Sequence, residues 1–172
     1  MIRLAGIACI LAGSTGLGIV FARELDQRIQ ELEALRQLML RLRGEIWYMH
    51  CPLPEAFLHL SENAPSPFAE FFRGVSEGLL RRDGESAEEI WCRNQKECLG
   101  NLHLGRQEQQ ELKSLGSLLG YLDVETQING LDYYLEQLKL SEQYAREAAS
   151  DRRRLYQYMG ILGGIGIVIL IF

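Results

Sequence analysis

Proline is scarce in these 172 residues, and the four that occur, Pro52, Pro54, Pro65 and Pro67, are confined to one short region. Long uninterrupted helices are therefore open to the chain on either side, since an interior proline is what breaks them. Histidine is rarer, at three residues, and the four cysteines form no C-x2-4-C pair, so zinc-finger frameworks lack their spacing. Positive charge is not in excess: 18 Lys and Arg stand against 23 Asp and Glu, net −5, with no basic face carrying interleaved aromatics. Nucleic acid is excluded as a partner on that ground. No stretch alternates with period 2 between turn signals, and there is no internal repeat or low-complexity linker. The class expected is all-α, with about six helices.

Charge is nearly missing from both ends, with Arg3 the one exception. Leu4 to Ala22 is 19 uncharged residues, roughly 28 Å of helix at about 1.5 Å per residue and close to the ~30 Å of a bilayer's hydrocarbon. A cleaved signal peptide is the competing reading, since Met1-Ile2-Arg3 is a minimal basic start and Ala12-Gly13-Ser14 is small. The run is longer than a signal's apolar region and leads straight into a helical pattern, which favours a span. At the other end Met159 to Phe172 carries no charge, and Leu155 to Tyr158 extend it with interfacial aromatics. A second span is expected there; a buried core helix is the alternative. Three regions follow: an N-terminal span over 1–22, a helical domain over 23–154 and a C-terminal span over 155–172. Arg23, Arg28, Arg36, Arg41 and Arg43 follow the first span and Arg146, Arg152, Arg153 and Arg154 precede the second, against Arg3 alone outside. Basic residues beside spans stay on the cytoplasmic side, so the domain is expected in the cytoplasm of a two-span cell-membrane protein. Cys51, Cys92 and Cys98 then sit in a reducing compartment, where disulfides are not expected.

Within the domain, Leu25, Ile29, Leu32, Leu35, Met39, Leu42, Ile46 and Met49 recur at coiled-coil-like spacing and continue the first span. Pro52 and Pro54 stop this helix near His50, and Pro54 suits the first turn of a second, to about Asn63. A third is expected over Phe68 to Arg82, ended by Asp83-Gly84. Ser86 and Glu89 have capping-box spacing and open a fourth through Ile90, Trp91 and Leu99. A fifth runs from about Arg106 to Leu119, with Gly120 as its stop and Asp123 as the cap of the next. The last, through Ile128, Leu131, Leu135 and Leu138, runs unbroken into the apolar tail. The two long helices are expected to pair antiparallel, with the shorter ones beside them.

Chemistry is hard to find. His50 and Cys51 are neighbours in sequence, but adjacent helical residues point in different directions and make a poor thiolate-imidazole pair. Cys92, Cys98 and His103 give C-x5-C-x4-H, which matches no zinc pattern, so buried structural cysteines are expected. Gly13 to Gly18 lacks the Lys-Ser/Thr of a phosphate loop and lies in the first span. No catalytic residue, metal ligand or cofactor is expected, and the chain is read as not an enzyme. The informative features are partner surfaces. Ala8, Ala12 and Gly16 in the first span, and Gly160 and Gly164 in the second, set small residues on one helix face, as close helix pairing or oligomer formation in lipid requires.

Four pieces taken together resemble the stage III sporulation protein AB family, membrane proteins of endospore-forming bacteria. They are Ser14-Thr15-Gly16; the arm through Leu35, Leu38, Leu42, Glu45, Ile46 and Tyr48 into Pro52-Leu53-Pro54-Glu55-Ala56; Leu119-Gly120-x-x-Asp123-x-x-x-Gln127; and Tyr156-x-x-x-Gly160-x-x-Gly163-Gly164. That family is similar in turn to the F platform subunits of type II secretion systems, whose cytoplasmic domains are six-helix bundles. The resemblance implies a place in the mother-cell membrane at the forespore, within a channel complex, beside a secretion-type ATPase (stage III sporulation protein AA) and other channel subunits. Platform subunits carry two such domains and three spans, whereas one domain and two spans are expected here, so two copies would stand where the secretion machine uses one. Pro52, Leu53, Pro54, Glu55, Leu119, Gly120 and Asp123 are the residues expected at a partner surface. The alternative is a membrane-anchored scaffold that self-associates through the Leu32 to Met49 seam with no ATPase partner.

Overall fold

The computed structural model describes the backbone of residues 2–81, 83–120 and 123–171, and side chains over 24–81, 83–120 and 123–150. Six helices account for it: α1 (Ile2–Trp47), α2 (Leu53–Asn63), α3 (Phe68–Arg81), α4 (Ala87–Leu99), α5 (Arg106–Leu119) and α6 (Val124–Ile171). No strand occurs among the described residues, in keeping with the all-α reading. Among those residues no helix is long and apolar enough to cross a membrane. The two expected spans, and the small-residue faces of Ala8, Ala12, Gly16, Gly160 and Gly164, lie outside the residues whose side chains are described. The membrane crossing is thus a reading of the sequence to which the structure adds no support.

The chain forms two compact units, one of Met1–Ile29 with Gln143–Phe172 and the other of Gln30–Glu142. In the second, the periodic seam of α1 is core: Leu32, Leu35, Leu38, Met39, Leu42 and Ile46 are each no more than 4% exposed. Across from it α6 contributes Ile128, Leu131, Tyr134 and Leu138. Burying each such side chain stabilises the fold by about 1.5–3 kcal/mol. The antiparallel pairing of α1 with α6 is marked by two ion pairs: Arg36 Nε donates to Glu142 at 2.9 Å, and Arg43 donates twice to Asp132, at 2.5 and 3.1 Å.

The short helices pack in chain order, α2 on α3, α3 on α4 and α4 on α5. Their centre is aromatic. Phe71 meets Trp91 edge to face at 4.8 Å between ring centroids, and Phe57 lies 5.7 Å from the same indole. The indole N–H donates to the Leu112 carbonyl at 2.9 Å, which satisfies the one polar atom of that ring in a dry core. Three glycines permit the close approach. A Cβ at Gly74 would collide with the Asn94 amide, one at Gly78 with Ile90, and one at Gly116 with Trp91.

Two expectations about the first long helix need correction. It ends at Trp47 instead of near His50, because His50 adopts a left-handed φ of +50° that turns the chain. Met49 consequently leaves the seam and is 67% exposed. The second helix starts at Leu53, with Pro54 in its first turn, where a missing N–H costs nothing.

Candidate functional site

The segments expected to meet a partner come together where α1 ends and α6 begins. A concavity of about 450 Å³ is lined there by Ile46, Cys51 to Pro54, Leu119, Gly120 and Gln127, among others. On the α2 side the backbone is anchored by Ser76, whose hydroxyl donates to the Pro54 carbonyl at 2.6 Å. On the α6 side Asp123 works as the expected cap: its carboxylate accepts from the Thr126 hydroxyl at 2.6 Å and backbone N–H at 2.9 Å. Those two bonds hold its carboxyl below the usual aspartate range. Gln127 closes the turn from within, its side-chain N–H donating to the Leu119 carbonyl at 3.2 Å. The Leu119-to-Gln127 motif is therefore a helix stop, a cap and a buried strap in sequence.

Exposure sorts the expected residues. Pro52, Glu55, Gly120 and Asp123 are exposed, and Leu53 and Pro54 are half-buried. Leu119 is buried, at 3% exposure, in the wall of the concavity. Three residues not singled out as partner contacts are exposed as well: Tyr48 and Met49, at 75% and 67%, and Trp47, at 48%. Val124, also exposed, lines the concavity itself. Large apolar side chains left in water close together in the chain make a candidate binding surface.

The chemistry-bearing residues behave as a set of local contacts. His103 is taken by Glu31, which accepts from its backbone N–H at 2.6 Å and meets its ring Nδ1 at 3.0 Å. Cys92 and Cys98 are free thiols, half-buried where full burial was expected; burial pushes the Cys98 thiol pKa up, aided by Glu97 and Glu70. His50 and Cys51 form no pair. Instead Cys51 lies with Glu45 and His59, one donor atom of each within 4.8 Å of the others, the sole such group of potential metal ligands among the described residues. Elsewhere, a groove of about 520 Å³ beside α5 and α6 is walled by Tyr134 and Glu111. Burial, with Glu111 and Glu108 nearby, raises the Tyr134 phenol well above its ordinary pKa.

A sequence profile of stage III sporulation protein AB matches residues 3–172. The chain belongs to the stage III sporulation protein AB family. The family's protein from Bacillus subtilis (strain 168), stage III sporulation protein AB, is 27% identical over 171 residues, covering 99% of both chains. A solved structure of stage III sporulation protein AB is similar at 28% identity and a TM-score of 0.66, covering 72% of this chain and 97% of that one.

Proposed function

We propose that this member of the sporulation family is a non-enzymatic platform, rooted in the mother-cell membrane by spans over 1–22 and 155–172. Its bundle, over 23–154, faces the cytoplasm and receives a secretion-type ATPase, with other channel subunits as neighbours. The observation that carries the reading is the concavity lined by Pro52, Leu53, Pro54, Gly120 and Val124, with Trp47, Tyr48 and Met49 exposed in the chain between its lining residues Ile46 and His50. Aromatic and methionine side chains of this kind are what a protein partner covers first. As in the secretion-machine comparison, two copies stand where a platform subunit of two domains would suffice.

The self-associating scaffold is the weaker reading, because it needs the α1 seam on the surface and the seam is core. The test is titration of the sporulation ATPase against the full chain in detergent or nanodiscs. Saturable binding is expected, weakened at least tenfold by Tyr48→Ser with Met49→Ser, since central apolar contacts each contribute above 1 kcal/mol. No binding, or binding indifferent to both substitutions, overturns the proposed surface.

A further inference from the structure

The corner between α1 and α2 carries a second feature, independent of any protein partner. Glu45 lies in the last turns of α1. The left-handed turn at His50 returns the chain so that the Cys51 N–H donates to the Glu45 carbonyl at 3.1 Å, which brings the thiol back over the Glu45 side chain. Cys51, Glu55 and His59 then follow four residues apart. Cys51 Sγ lies 3.9 Å from Glu55 Oε2, and His59 Nδ1 lies 3.3 Å from Glu45 Oε2.

We propose that Glu45, Cys51 and His59 form a binding site for a divalent cation of the zinc class, with Glu55 or water in the fourth position. The donor set decides the class. One thiolate, one imidazole and one carboxylate suit zinc, whereas magnesium and calcium take oxygen donors. Bond lengths of about 2.0–2.3 Å put neighbouring ligands of a tetrahedral zinc roughly 3.3–3.8 Å apart. The Glu45–His59 separation already falls in that interval. The 4.8 Å limit on the remaining pairs leaves a shift of about 1 Å, within reach of side-chain rotation. His59 and Glu55 are exposed and Glu45 and Cys51 half-buried, which gives an ion a path from solvent.

Metal binding changes the protonation of the thiol. Burial, then the neighbouring Glu45 and Glu55 carboxylates, raise the Cys51 thiol above its ordinary pKa, so the metal-free site keeps its proton. A divalent ion reverses that preference. The thiol S–H bond breaks, the proton leaves to solvent, and its electron pair forms the sulfur–metal bond. A simple Glu45–His59 ion pair at this exposure would stabilise little and has no use for a thiol. The bound ion would tie the end of α1 to α2 beside Pro52–Pro54.

The test uses the full chain in detergent, stripped of metal. Equilibrium dialysis against Zn²⁺ is expected to give one ion per chain, with one proton released. Co²⁺ as a spectroscopic probe is expected to show a thiolate-to-metal charge-transfer band. Cys51→Ser and His59→Gln should each weaken uptake at least tenfold, as loss of even an outer-shell partner costs 10–100-fold elsewhere. Cys92→Ser should leave it unchanged. His59 is half-exposed at 49%, so its variant keeps the fold and the reading even if Cys51→Ser disturbs the turn. No stoichiometric uptake, uptake that survives both substitutions, or dependence on Cys92 overturns the site.

Discussion

Alanine at Gly116 should destabilise this protein even though alanine is the better helix former. Gly116 is buried in α5, and an added Cβ would lie within 3.0 Å of three atoms of the Trp91 indole. The ring has nowhere to retreat. Its N–H is bonded to the Leu112 carbonyl, Phe71 abuts it edge-on and Phe57 covers another side. Overpacking of this kind costs about 1–3 kcal/mol, and a contact this close against a pinned ring belongs at the upper end. The helix gains about 1 kcal/mol from replacing glycine. The net loss is therefore about 1–2 kcal/mol, or about 2–8 °C in Tm for a chain of this size. Gly44 supplies the control, since it is helical in α1 and a Cβ there meets nothing within 4 Å. Gly44→Ala is expected to raise Tm by about 2–4 °C, the propensity gain alone. Far-UV circular dichroism melts of the two variants and the parent, at one detergent and protein concentration, make the comparison. A Gly116→Ala protein as stable as the Gly44→Ala protein would refute the packing argument, because the two changes are chemically identical and differ only in surroundings.

Two further outcomes are expected. A double-mutant cycle on Arg43 and Asp132 should give about 0.2–1 kcal/mol of coupling that declines with added salt, since both side chains are partly solvated; chemical denaturation at two salt concentrations reads it. Acid should destabilise the bundle below about pH 4. The Glu89 carboxylate accepts from the Ser86 backbone N–H and hydroxyl, and the Asp123 carboxylate from the Thr126 hydroxyl and N–H, and both carboxyls sit below their ordinary values. Depressed folded-state pKa values mean that stability is present above the unfolded values, about 4.3 and 3.9, and is lost as pH falls through the folded ones. Melts from pH 7 down to 3 should be level to about pH 5 and fall below 4, with the fall reduced in Thr126→Val; a decline starting above pH 5 would assign it to other groups.

Much of the architecture was open to reading because its signals are local. The Pro52–Pro54 and Pro65–Pro67 breaks, the reciprocal Ser86–Glu89 cap and the Asp123 cap each act within a few residues of where they are written. Helix ends followed within a few positions. Signals that depend on distant partners were not legible. Gly74, Gly78 and Gly116 are each where another element's side chain comes close, which no spacing reveals. Cys51 drew attention through its neighbour His50, but the chain turn at that histidine carries the thiol toward Glu45 and His59 instead. Leu119, expected at a partner surface, is buried in the wall of the concavity, with its carbonyl taken by the Gln127 side chain.

The seam of α1 posed the question that periodicity could not answer, since a stripe buried in its own bundle and one awaiting a second chain have the same spacing. Its side chains from Leu32 to Ile46 are closed over within the Gln30–Glu142 unit. Leu42, fully buried, distinguishes the two cases by thermodynamics. Truncation of Leu42 to alanine removes buried methyl groups and leaves a cavity, which costs about 2–5 kcal/mol. In an intramolecular core that loss is the same at every protein concentration. In an intermolecular seam, folding and association are linked, and the melting temperature of parent and variant alike rises with concentration. Melts of both proteins across a hundredfold dilution, with the detergent-to-protein ratio held constant, decide it. The buried seam requires a lower but concentration-independent Tm for Leu42→Ala; a midpoint that moves with dilution would return the helix to the self-associating reading.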